Sequence, residues 1–168
     1  MNIGFLFWQR WQLMNLYLIQ HGEAVNETVD PARPLSERGV REVKAMGEFV
    51  GSLGLDLAEV WHSGKTRARQ TAQHLLPHIA PRGHLVVKEG LNPNDTPRGT
   101  ARELEDRKQD LAIVGHLPHL SRLASLLLVE DENAEVVAFR QGGIVALHRD
   151  ESGKRRLRWM VTPELLLR

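Results

Sequence analysis

Four apolar runs punctuate the first two thirds of the chain, and each is too short to be a helix. They are Leu16–Ile19, Val60-Trp61, Leu85–Val87 and Leu111–Val114. Runs of this length bounded by turn residues read as buried strands. Between them lie segments of helical period. Ser36 is an N-cap for a helix carrying Val40, Val43, Met46, Phe49, Val50 and Leu53, which Gly54 ends. Thr66–Leu76 reads as a second helix, with Ala68, Ala72, Leu75 and Leu76 inward and Pro77 as its stop. Thr96-Pro97 caps and opens a third, running to about Asp106. Pro118 opens a fourth, with Leu120, Leu123, Ala124, Leu127 and Leu128. The chain closes with a hairpin, Ile144–His148 and Leu157–Val161, turning through Asp150-Glu151-Ser152-Gly153. In its second arm Leu157, Trp159 and Val161 should share one face.

Strands alternating with helices predict a three-layer α/β/α sandwich. Its central sheet is mostly parallel, with a C-terminal antiparallel hairpin. At 168 residues there is room for one such domain. We assign it to residues 14–168. Residues 1–13 read as an N-terminal extension. Met14 stands directly before the first strand as an alternative natural start, and the rival readings are an amphipathic surface anchor or a segment packed on a partner. The apolar run Ile3–Trp8 is far short of the ~20 residues of a membrane span.

Composition narrows the chemistry. The chain holds 22 Lys+Arg against 21 Asp+Glu, a net charge of +1, which calls for neither nucleic acid nor an anionic membrane. It has no cysteine, so thiolate metal sites, disulfides and a Cys nucleophile are excluded. A cytoplasmic setting fits that composition. His74 and His78 stand four apart, but Pro77 between them should break the helix a metal pair would share.

In a sheet of this kind ligands bind beyond the carboxyl ends of the strands. The turn after the first strand is Gln20-His21-Gly22-Glu23, after the second His62-Ser63-Gly64-Lys65-Thr66-Arg67, and after the fourth Gly115-His116-Leu117-Pro118. Two imidazoles and a guanidinium therefore converge if these strands are neighbours. A neutral imidazole attacks phosphorus, and Arg offers a planar fork to phosphate oxygens. Helix N-termini add free N–H groups. Together they describe a phosphoryl pocket with its own nucleophile. Ser63 is also a candidate turn hydroxyl, Glu23 a structural or imidazole-orienting carboxylate, and His119 a surface residue. The run Lys154-Arg155-Arg156 reads as a solvated hairpin edge.

These stretches resemble the histidine phosphatase superfamily, and within it the SixA-type phosphohistidine phosphatases. The likeness runs from about Met14 to Leu165. It rests on His21-Gly22-Glu23-Ala24, Arg33-Pro34-Leu35-Ser36-Glu37-Arg38-Gly39, Ser63 through Thr71-Ala72, and Val114–Pro118. The resemblance implies a phosphoglycerate-mutase-like fold, no metal and no organic cofactor. It implies His21 as the residue that becomes phosphorylated, His116 as the second imidazole on the phosphoryl group, and Arg67 as its clamp. Gln20, Gly22 and Ser63 complete the expected phosphate-binding set. Glu89 and Asp95 are candidate general acids, although Asp95 could equally cap the third helix.

One position departs from the family pattern: Gln20 stands where its members carry Arg. A hydrogen bond to a charged group is worth about 1.5–3 kcal/mol, so the loss amounts to roughly 10- to 100-fold in rate or affinity. Lys65 or His62 could restore positive charge. The expected function is a phosphatase acting through phospho-His21 on phosphohistidine in a signalling protein. The alternatives are a broad small-molecule phosphomonoesterase and a non-catalytic module that only binds phosphorylated partners.

Overall fold

The computed structural model describes residues 14–167. The residue 1–13 extension lies outside them. Six strands form one sheet: β1 Asn15–Gln20, β2 Glu59–His62, β3 His84–Val87, β4 Leu111–Gly115, β5 Ile144–Arg149 and β6 Arg155–Val161. Their order is β3-β2-β4-β1-β5-β6. The first four are mutually parallel, and β5 and β6 run antiparallel. Helices α1 Glu37–Gly51 and α2 Thr66–Ile79 cover one face, and α3 Pro97–Glu105 and α4 His119–Val129 the other. The sandwich expected from the sequence is the one that forms. Among the described residues no helix is long and apolar enough to cross a membrane.

Register explains why the loops meet. Gln20 sits opposite Gly115, and His62 opposite Val114. All the parallel strands therefore end at one level. β4 lies between β1 and β2, so the three turns of interest are adjacent in space.

Several local expectations change. Ser36 does cap α1, its hydroxyl accepting from Gly39 N at 3.0 Å. The buried stripe, however, is Gly39, Val43, Met46, Gly47 and Val50. Phe49 and Leu53 are 37% and 47% exposed. The glycines set the face: a Cβ on Gly47 would meet His78 Cδ2 at 2.7 Å, so α2 rides directly on α1 there. α1 ends at Gly51, and Gly54 closes the following turn at φ +67°.

Pro77 does not stop α2, which continues to Ile79. In the last turn a proline removes only one hydrogen bond near an end that frays anyway. His74 and His78 thus share an unbroken helix, but His78 is engaged in packing against Gly47 and Gly51. Thr96 occupies the N-cap position of α3 without a side-chain hydrogen bond. The hairpin carries a bulge at Arg158, so that Ala146 pairs with Trp159 and Leu147 with Leu157. That extra residue puts Leu157 and Trp159 on opposite faces. Trp159 packs near Tyr17, 5.9 Å between ring centroids, whereas Leu157 is half exposed. Arg155 is not a solvated edge residue. It donates to Leu104 O at 2.8 Å, and burial lowers its pKa to about 10.

Candidate active site

His21 is held at its backbone first. Its N–H donates to Gly115 O at 3.1 Å, and Gly142 N donates to Gln20 O at 3.0 Å. Its ring lies 2.7 Å from Gly22 O through Nδ1. A carbonyl can only accept, so Nδ1 carries the proton and Nε2 carries the lone pair. That lone pair accepts from Arg67 Nε at 3.1 Å. Gly22 is tightly enclosed here: a Cβ would sit 2.7 Å from Val43 Cγ2 and 3.3 Å from Gly39 O. Its own N–H donates to Thr71 Oγ1 at 3.0 Å, and Thr71 in turn donates to Arg67 O at 2.8 Å. The Gly22 amide is therefore engaged within the protein, and this glycine shapes the turn.

His116 brings the second ring to 5.0 Å from His21, centroid to centroid, at an interplanar angle of 53°. Its Nε2 lies 2.6 Å from Ser63 Oγ. Its Nδ1 is buried with no partner. A bare N–H buried there would cost more than a bare lone pair, so the proton belongs on Nε2. Ser63 thus acts on His116 as an orienting hydroxyl.

Burial and cations keep both rings neutral. His21 is 7% exposed and His116 2%. Burial, with smaller effects from Arg67 and Arg33, lowers the His21 pKa to about 4. Burial, then the charges of His21, Arg67 and Lys65, lowers His116 to about 3. At neutral pH the Nε2 of His21 is therefore free of a proton.

Arg33 is the residue that motif reading missed as a site group. Residues 25–34 form a loop pinned by the Ala24–Leu35 bridge and by Val25 N donating to Pro34 O at 2.9 Å. Arg33 sits at φ +48°, and its charge bears on both His21 and Arg67. A non-glycine residue in that backbone region invites a functional explanation. The only sequence signal was its place in the Arg33-Pro34-Leu35-Ser36 stretch. Gln70 was missed too. Its Oε1 accepts from Leu35 N at 2.7 Å and ties this loop to α2.

Other candidates separate clearly. Glu23 accepts from Ser36 Oγ at 2.7 Å and pairs with Arg38, so it organises the start of α1 and does not orient an imidazole. Lys65 is exposed beside His116. His62 cannot restore charge: it is buried, accepts from Gly64 N at 3.1 Å, and is pressed towards neutrality by burial and Arg69. Asp95 neither caps α3 nor bonds to a site ring. Its carboxylate accepts from Asn92 N at 2.8 Å, while its carbonyl accepts from His119 Nδ1 at 3.1 Å. His119 is fully buried, contrary to the surface expectation, because α4 begins beneath that loop. Glu89 is exposed.

The sequence profile of the histidine phosphatase superfamily (branch 1) matches residues 16–93. The chain belongs to that superfamily. An uncharacterised protein of Picosynechococcus is 30% identical over 164 residues, covering 92% of this chain and 94% of the relative. Phosphohistidine phosphatase SixA of Escherichia coli is 23% identical over 163 residues, covering 89% and 94%. In fold, the chain is similar to the structure of the protein histidine phosphatase SixA complexed with tungstate. The TM-score is 0.80 at 22% identity, over 91% of this chain and 99% of that one. The geometry of the paired imidazoles here stands on its own hydrogen bonds.

Proposed function

We propose that this chain is a cytoplasmic phosphatase that works through a phosphohistidine on His21 and removes phosphate from phosphohistidine in a signalling protein. One observation carries the reading: the unprotonated His21 Nε2 points at Arg67, with the His116 ring beside it. In the first step the Nε2 lone pair forms a bond to phosphorus. The substrate's bond to the leaving atom breaks, and its electron pair departs with the leaving group. Arg67 turns its fork to the phosphoryl oxygens, and His116 shifts its Nε2–H from Ser63 Oγ to a phosphoryl oxygen. In the second step water attacks phosphorus and the His21–phosphorus bond breaks. The ring recovers its lone pair, and inorganic phosphate leaves with the proton balance going to solvent. Positioning and charge stabilisation supply most of such catalysis, so this small set suffices.

Arg33 brings a second positive charge to bear on His21 beside that of Arg67, which supports an anionic substrate there. A binding module would need no free imidazole lone pair. The relative named phosphohistidine phosphatase supports the nitrogen-linked substrate. The test is direct. The protein is incubated with a labelled phosphoryl donor, quenched at alkaline pH, and examined for an acid-labile label on His21. The label should form, and phosphate should be released on turnover. His21→Ala should show neither. Substrate binding with no label on wild-type His21 would refute the reading.

A further inference from the structure

His62 ends β2 at 2% exposure, and the phosphotransfer steps leave its ring unused. Val60, two residues back and so on the same face of the sheet, belongs to the apolar core beneath α1 and α2. An imidazole at the next position of that face needs a reason. Its Nδ1 accepts from Gly64 N at 3.1 Å. Gly64 lies beyond the strand at φ +83°, and among the described residues its N–H has no backbone acceptor. A buried donor has to be satisfied, and the ring satisfies it. A side chain bonding the N–H two residues on is the form of an Asx turn. Asn26, Asp30, Asp131 and Asp150 make the same contact in exposed turns of this chain. At the buried position 62 a carboxylate would carry a charge out of water, whereas a neutral imidazole supplies the acceptor without one. Burial and Arg69 press His62 towards that neutral form, in which Nδ1 keeps its lone pair and the proton sits on Nε2.

The residue this turn encloses is Ser63, whose Oγ stands 2.6 Å from His116 Nε2. The backbone before Ser63 is fixed by the sheet. His62 pairs with Val114 in register, and its carbonyl accepts from Lys88 N at 2.8 Å. The backbone after Ser63 is fixed by the His62 ring through Gly64. Without that second hold the serine stays at the end of a strand but loses its aim.

We propose that His62 is a positioning residue, whose imidazole closes the 62–64 turn and through it aims Ser63 Oγ at the His116 ring. It touches neither phosphorus nor the phosphoryl oxygens. Its effect reaches the reaction in two contacts, Gly64 N to His62 Nδ1 and Ser63 Oγ to His116 Nε2, which set the angle from which His116 meets the phosphoryl group. A small displacement of such a group is felt in the rate of the chemical step. The inference rests on the phosphotransfer reading above and deepens it.

The test is a double-mutant cycle read by the single-turnover release of p-nitrophenolate from p-nitrophenyl phosphate, which reports transfer to His21. His62→Phe and His62→Leu remove the acceptor, and either one that keeps an intact melting transition serves. His62→Asn keeps an acceptor at the same reach. The Phe or Leu variant should slow release by about tenfold, and the Asn variant should stay within about threefold of the wild type. Combined with Ser63→Ala, the same Phe or Leu change should slow release by less than about twofold further, because contacts in one chain do not add. A full tenfold loss in the Ser63→Ala background, or an Asn variant as slow as Phe, overturns the proposal. A nitrogen-15 histidine spectrum of the unaltered protein gives a second readout. At neutral pH the His62 Nδ1, assigned against His62→Asn, should carry no proton, and a proton there overturns the proposal as well. Absence of p-nitrophenolate release and of label on wild-type His21 overturns the phosphotransfer reading itself.

Discussion

Arg67 Nε donates to His21 Nε2 at 3.1 Å, so the guanidinium covers the nitrogen that the proposed mechanism aims at phosphorus. The resting site is thus closed on itself, and a phosphoryl group opens it by offering Arg67 better acceptors. Charge-assisted contacts from Arg to phosphate oxygens outweigh one bond to a neutral ring. Arg67→Lys keeps the charge and loses the fork. Its kcat/KM should fall by roughly 10- to 100-fold, with the loss visible in the rate of His21 labelling under single-turnover conditions.

Arg33 should set the acid limit of activity. His21 is held at about pKa 4 by burial first and then by the charges of Arg67 and Arg33. The acidic limb of kcat/KM, which reports the free enzyme, should therefore lie well below the ordinary histidine range. Removing a cation makes His21 easier to protonate. In Arg33→Gln the limb should move to higher pH, while the alkaline side stays in place. A limb at the same pH in both proteins would show that Arg33 does not act on the ring.

Neutral buried imidazoles also make the fold acid-sensitive. The unfolded pKa of histidine is about 6.5, and His21 and His116 sit at about 4 and about 3 when folded. Between those values the unfolded chain binds more protons than the folded one. Stability therefore rises with pH across that window and falls as the medium is acidified. At pH 5 each ring should cost about 2 kcal/mol relative to neutral pH. Urea unfolding at the two pH values should show the drop, and it should shrink in His116→Gln.

Much of this site was legible because the chemistry sits in turns that directly follow short apolar runs. His21, Arg67 and His116 were expected to converge if their strands were neighbours, and β4 does lie between β1 and β2. What stayed hidden depends on contacts distant along the chain. Arg33 matters through a loop closed by Ala24 and Leu35, and its backbone conformation leaves no mark in composition. The α1 face was misread because Gly47 and Gly51, which have no hydropathy to speak of, admit His78 more closely than any apolar side chain would. Leu157 changed sides because one bulged residue, Arg158, breaks the period of two. Pro77 was given too much force because its distance from the helix end decides what it costs.

Ser63 should prove a positioning residue. Its hydroxyl is 2.6 Å from His116 Nε2, and the opposite ring nitrogen has no partner to fix the orientation. Ser63→Ala frees the ring to turn. The rate of phosphoryl transfer to His21 should fall by about tenfold, from a hydrogen bond worth about 1–1.5 kcal/mol. Ser63→Thr should restore most of it. KM should move less than kcat, because the hydroxyl acts on His116 and not on the bound phosphate.

Gly39 and Gly22 should differ in how they fail as alanine, although they pack together, Gly22 in the turn after β1 and Gly39 in the first turn of α1. A Cβ on Gly39 would stand 2.1 Å from Glu23 O and 3.0 Å from Glu23 N, all backbone atoms that no rotamer change can move. Glu23 O also accepts from Ser36 N at 2.9 Å, so pushing it away loosens the cap of α1. A Cβ on Gly22 first meets Val43 Cγ2 and Leu35 Cδ2, at 2.7 and 3.1 Å, which are side-chain ends that can yield. Gly39→Ala should therefore cost about 3 kcal/mol or more in urea unfolding, and Gly22→Ala about 1–3 kcal/mol. Activity should rank the other way for a given loss of stability. Gly22 O orients the His21 ring at 2.7 Å, so even a small displacement there misaims the nucleophile. Folded Gly22→Ala should retain its melting transition and still label His21 far more slowly than the wild type.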